Sequence, residues 1–150
     1  MDIKMKLEPH GWLDIEIESQ LQEIIEIPVS WLSDALGDMA SQLIALHRGA
    51  EEVVMVMQTE PGECRFKIKK IAQARVQFMV YEMHDNFSSH VVTDGNLLMS
   101  EELTLVKLTK LFYREFSKLK DLGLEEYKTR WSYEFPMDAY ERIGRVVQLQ

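Results

Sequence analysis

Residues Thr59–Lys70 read TEPGECRFKIKK. Pro61 presets φ for the second position of a tight turn, and Gly62 supplies the positive φ of a type II turn at the third. After the turn, Arg65, Lys67 and Lys69 alternate with Phe66, Ile68 and Ile71 at nearly period two. That alternation predicts a half-buried strand with its cations on a solvated face. Before the turn, Val53–Gln58 is rich in valine and methionine, so the stretch reads as the tip and second arm of a β-hairpin.

Working outward, the N-terminal side alternates twice. Ile3, Met5 and Leu7 interleave with Asp2, Lys4, Lys6 and Glu8; Leu13, Ile15 and Ile17 interleave with Asp14, Glu16 and Glu18. Pro9-His10-Gly11 and Ser19-Gln20 break these runs, and Ile24–Ile27 reads as a third strand ended by Pro28. The period then changes. Leu32, Leu36, Met39, Leu43 and Leu46 mark one face of a helix, with Ser30 as the expected N-cap and Gly49 as the stop. On the C-terminal side, Val76, Phe78 and Val80 belong to another strand. Residues 84–100, HDNFSSHVVTDGNLLMS, read as a polar loop. From Ser100 a helical stripe runs through Leu105, Leu108, Phe112, Phe116, Leu119 and Leu122, stopped by Gly123. Glu125–Trp131 continues the helical character, and Pro136 opens a last helix with Met137, Tyr140, Ile143 and Val147 on one side.

The expected order is β-β-β-α-β-β-β-α-α: an α+β fold in one domain, residues 1–150, with an antiparallel sheet of about six strands and helices on one face. A chain of 150 residues is long enough to bury a core without staples. Its apolar runs are too short to span a bilayer, and Met1–Leu7 lacks the apolar stretch of a signal peptide. The single cysteine, Cys64, excludes an intramolecular disulfide and fits a reducing cytoplasm.

Charge separates the two halves. Residues 1–63 hold thirteen Asp and Glu against Lys4, Lys6 and Arg48; residues 64–150 hold fourteen Lys and Arg against twelve acids. An acidic half repels nucleic-acid phosphates and attracts basic partners. Lys107, Lys110, Arg114 and Lys118 form a basic stripe, but at a net charge of −8 with no interleaved aromatics the chain does not read as a nucleic-acid binder. There is no glycine-rich phosphate loop, no G-x-S-x-G, no H-E-x-x-H and no C-x-x-C. No catalytic residue, metal site or cofactor is assigned. Two sets of candidates remain. Asp14, Glu16, Glu18, Asp34 and Asp38 are candidates for an acidic binding surface. Glu60, Glu63, His84, Asp85 and His90 are candidates for an alternative small-ligand or enzymatic pocket around the 84–90 loop. Trp12, Trp31 and Trp131 are open to core or interface roles, and exposed strand edges allow a homodimer.

Leu36-Gly37-Asp38, Arg48-Gly49 and Glu60-Pro61-Gly62-Glu63 together resemble a set of small bacterial proteins in which an LGD helix precedes an EPGE hairpin. The likeness covers the middle third of the chain. Cys64 stands where that set often has an aromatic. The resemblance implies no catalytic residues. It hints at similarity to immunity proteins, which neutralise bacterial toxins by binding them, and so at a basic toxin as partner.

Overall fold

The hairpin centred on Gly62 forms, with β4 (Glu52–Gln58) antiparallel to β5 (Glu63–Ala72) and Met57 opposite Cys64. In this computed structural model, which describes residues 1–84 and 91–148, Gly62 takes the positive φ expected of it, at 90°. Glu60 also lies at positive φ, and the Glu60–Pro61 peptide is cis.

Among the described residues seven strands form two antiparallel sheets, not one sheet of six. β1 (Asp2–Leu7), β2 (Leu13–Glu18) and β3 (Ile24–Val29) make a three-stranded meander. β4, β5, β6 (Arg75–Met83) and β7 (Asn96–Thr104) make the second sheet, in chain order. The helices are α1 (Ala35–His47), α2 (Leu105–Lys120), α3 (Leu124–Trp131) and α4 (Met137–Gln148). A 3-10 turn covers Val92–Asp94.

Three expectations are corrected. Residues 96–104, read in part as loop and in part as helix start, are strand β7; nothing in NLLMSEELT alternates, and pairing with β6 decides its conformation. The helix after it is capped by Thr104, whose side chain accepts from the Lys107 amide at 3.1 Å. The first helix starts at Ala35 and is capped by Asp34, leaving Leu32 outside it and 62% exposed. Ser30, the expected cap, is buried and instead donates its backbone N–H to Gln58 O at 2.8 Å. Lastly, Arg65 is buried, so the cations of β5 are not one solvated face.

The inner faces of both sheets and the apolar sides of the helices share one continuous core. Ile3, Ile15 and Ile17 meet Phe66, Phe78, Leu36, Phe112 and Trp131 there, all at 1% exposure or less. Two links fix how the sheets lie. The end of β3 reaches the end of β4 through Ser30, and the β2–β3 turn reaches β7 through Gln20 N to Glu101 Oε1 at 2.8 Å. The β2–β3 hairpin therefore stretches from one edge of the four-stranded sheet to the other.

Sheet edges are closed by side chains rather than by neighbouring strands. On β1, Met5 N donates to Glu115 Oε1 at 2.8 Å, Arg114 donates to Ile3 O at 2.7 Å, and Arg130 donates to Leu7 O at 2.8 Å. On β4, Val56 N donates to Asp38 Oδ2 at 2.9 Å. On β7, Gln20 donates to Glu102 O at 3.1 Å. Edge strand β3 carries Pro28, which has no N–H to offer. Among the described residues no helix is long and apolar enough to cross a membrane.

Candidate functional site

The period-two pattern of β1 and β2 turns Ile3, Ile15 and Ile17 inward and Lys4, Lys6, Asp14, Glu16 and Glu18 outward. Register then determines which outward charges meet. Lys4 stands opposite Glu16 and Lys6 opposite Asp14, which is complementary. Lys4 Nζ lies 3.9 Å from Glu16, and Lys6 Nζ lies 3.5 Å from Glu8.

The other pairs are not complementary. Glu16 stands opposite Glu26 of β3, and Asp2 stands opposite Glu18. Like charges directly opposite in an antiparallel pair are destabilising. Asp14 adds a third case: its carboxyl is pushed above the ordinary range by partial burial first and then by the hydrogen-bonded Glu8 carboxyl beside it. Glu16 is offset in part by Lys4, and Asp2 more closely by Arg114. Burial works upward on Asp2, but Arg114 Nη2 at 2.6 Å and the Ile3 amide win and hold its carboxyl below the usual range.

A groove of about 560 Å³ runs across this outer face, walled by Lys4, Lys6, Asp14, Glu16, Glu26 and Pro28, with Glu115 and Lys118 of α2 at its end. Glu115 is fully buried. It accepts from the Met5 amide, from Arg114 Nε at 2.8 Å and from Lys118 Nζ at 3.0 Å. Sequence reading missed this residue because it sits inside a basic stripe; a lone acid among Lys107, Lys110, Arg114 and Lys118 was the available signal.

The acidic candidates are not all brought together. Asp14, Glu16 and Glu18 share the outer sheet face, and Glu26 joins them. Asp34, the N-cap of α1, and Asp38, in its first turn, do structural jobs. Asp34 Oδ1 caps α1 by accepting from Gly37 N at 3.0 Å, and also accepts from Trp131 Nε1 at 2.9 Å. Asp38 closes the β4 edge and accepts from Gln42 Nε2 at 3.2 Å. A Cβ at Gly37 would meet the Asp34 carboxylate, which would have to shift from its capping position. Trp131 is thus a core residue, while Trp31 keeps 39% exposure and packs edge-to-face on Trp12.

Of the alternative pocket, Glu60 is exposed on the turn and His84 is exposed at the end of β6. Glu63 is buried, and its Oε2 holds Arg65 through Nε at 2.9 Å and Nη2 at 2.7 Å. This pair lies on the outer face of the four-stranded sheet, which also carries the small apolar cluster Met79, Tyr81, Met83 and Val92. Asp85 and His90 lie outside the described residues. Cys64 points into the core, and burial first, then Glu82, pushes its thiol up to about 12. That environment suppresses the thiolate and makes the cysteine inert. Among the described residues no group of three or more His, Cys, Asp or Glu side chains is placed to hold a metal ion.

Compared with known proteins, the chain matched no family model, no curated protein and no solved structure.

Proposed function

We propose that the protein works by stoichiometric binding, taking a basic partner protein on the acidic outer face of the β1–β2–β3 sheet. The observation that supports this is the pairing of Glu16 with Glu26 across adjacent strands, beside the crowded Glu8–Asp14 carboxyls. Like charges directly opposite on adjacent strands are destabilising, and Lys4 at 3.9 Å offsets only the Glu16 side of this pair. A cation from a partner placed between them turns that cost into attraction. Lys4, Lys6 and Lys118 border the same groove and give it a polarity, so a partner carrying a few acids beside its basic patch docks in one orientation. This is the behaviour of an immunity or antitoxin protein facing a basic toxin. The partner, rather than a reaction, is then the substrate of the face.

The test is capture from a lysate of the source organism on immobilised protein, comparing the native chain with Glu16→Gln/Glu26→Gln. A basic protein retained one-to-one at low salt, released at high salt and lost from the double variant is the expected result. Equal retention by both proteins would refute the acidic face as the contact. The same double variant should be more stable than the native chain, a gain in stability coupled to loss of binding that a merely decorative surface would not show.

A further inference from the structure

On the far side of α1 the charge reverses. A cleft of about 470 Å³ lies between the C-terminal end of α1 and α4. His47 and Arg48 come from α1, and Arg142 and Arg145 come from α4. Ile44, Ile143 and Val146 supply its apolar lining. Among the described residues no carboxylate lines it. Arg142 is held from outside the cleft by Asp138 at 3.2 Å, whereas Arg48 and Arg145 make no ion pair among the described residues. Three guanidiniums and an imidazole therefore converge on an apolar floor in a chain of net charge −8.

Helix dipoles account for these cations singly. His47 and Arg48 end α1, and Arg145 sits in the last turn of α4, where cations are favoured. The dipoles do not account for cations of two different helices bordering one cavity, where they repel one another. His47 is also fixed rather than free. Thr109 Oγ1 gives its single proton to Leu105 O at 2.7 Å, so at its 2.8 Å contact with His47 the hydroxyl must accept. The ring is then the Nε2–H tautomer, and Nδ1 is the nitrogen left to titrate.

We propose that this cleft is a binding site for a small organic anion, with a phosphate or carboxylate head held by Arg48, Arg142 and Arg145 and a short apolar body on Ile44, Ile143 and Val146. Its size falls within the range of small-molecule pockets, which are mostly apolar with a few placed polar groups. Guanidinium suits both head groups because its planar fork donates two parallel hydrogen bonds to either oxyanion. Burial first, and then Lys70 of β5, holds His47 below its ordinary pKa. Arg48, Arg142 and Arg145 face it from the two helices, and Glu51 borders the adjoining depression that His47 and Lys70 share. A bound anion reverses that balance and raises the pKa, which provides a readout specific to the site.

The experiment titrates the full chain with hexyl phosphate, hexanoate, inorganic phosphate and hexanol, following the His47 ring by NMR and affinity by calorimetry. At least one of the two amphiphilic anions should bind at least tenfold more tightly than inorganic phosphate, and hexanol should leave His47 unmoved. The preferred head group identifies phosphate or carboxylate as the natural chemistry. His47 should titrate at higher pH in the complex, and Arg48→Gln and Arg145→Gln, both at exposed positions that tolerate substitution, should each weaken binding about tenfold. Silence from both anions, or unchanged affinity in the Arg48→Gln/Arg145→Gln double variant, would overturn the proposal. Capture of a basic protein by the acidic face should be unaffected by that double variant, so the two readings fail independently.

Discussion

Replacing Glu115 tests how the structure weighs a buried charge against a buried hydrogen bond. Glu115 is fully buried yet touches two cations that are not: Arg114 is 45% exposed and Lys118 is 56% exposed at the side chain. When the carboxylate is removed, Lys118 returns to water and Arg114 keeps Asp2 and Ile3 O, both at little cost, as surface ion pairs are worth about 0–1 kcal/mol. The Met5 amide has no such escape, because it belongs to an edge strand whose outer side is closed by α2. An orphaned buried donor costs about 1–3 kcal/mol. Glu115→Leu should therefore destabilise by about 2 kcal/mol, roughly 4–8 °C in Tm for a chain of this size. Glu115→Gln keeps an acceptor for Met5 and should lose less than about 1 kcal/mol. Urea denaturation gives the two stabilities, and hydrogen exchange at the Met5 amide identifies the bond. If Gln and Leu cost the same, the ion pairs dominate and the argument from the amide is wrong. If Met5 exchange is unchanged in Glu115→Leu, Glu115 is not the guard of that edge.

Other consequences are equally direct. The Tyr127 hydroxyl is buried without a partner among the described residues, and burial first, then Asp34, pushes its pKa upward; Tyr127→Phe should raise stability by about 1 kcal/mol, read as a higher Tm. Cys64 should resist a thiol reagent at mildly alkaline pH in the folded chain and react at once in denaturant, since its thiol is held near 12 by burial. His47 has a lowered pKa in the fold, so the unfolded chain binds its proton better; the stability it contributes is complete above the ordinary value of 6.5 and is lost as pH falls below it. His47→Gln should flatten the acid side of the stability profile over that window. Leu32→Ser should be near neutral while Leu36→Ala should cost about 2–5 kcal/mol, because only Leu36 enters the core.

The two leucines show where sequence reasoning reached its limit. Both fit one helical stripe, but the helix begins only where Asp34 can cap it, and that depends on Trp131, ninety-seven residues away, fixing the same carboxylate. The acidic face was legible in part. Alternation alone placed Asp14, Glu16 and Glu18 on one side of a strand. Glu26 joined them only through the β2–β3 register, which a single strand cannot specify. Asp34 and Asp38 were grouped with them by charge, whereas each is occupied by a distant backbone or indole donor. The cationic cleft gave no local signal at all, since α1 and α4 are separated by four strands and two helices before they meet.

What the sequence determined by itself is what local physics controls. Period two and period 3.6 gave the arms of β1, β2, β5 and β6, the long run of α2 and the last helix, because side-chain direction follows backbone geometry residue by residue. Gly62 gave the hairpin for the same reason. Tertiary structure alone decided the strand at Asn96–Thr104, the division into two sheets, the burial of Glu63 with Arg65 and the partners of each charge. Those outcomes depend on contacts between residues far apart in the chain, and a register, an edge or a buried ion pair exists only once both of its halves are in place.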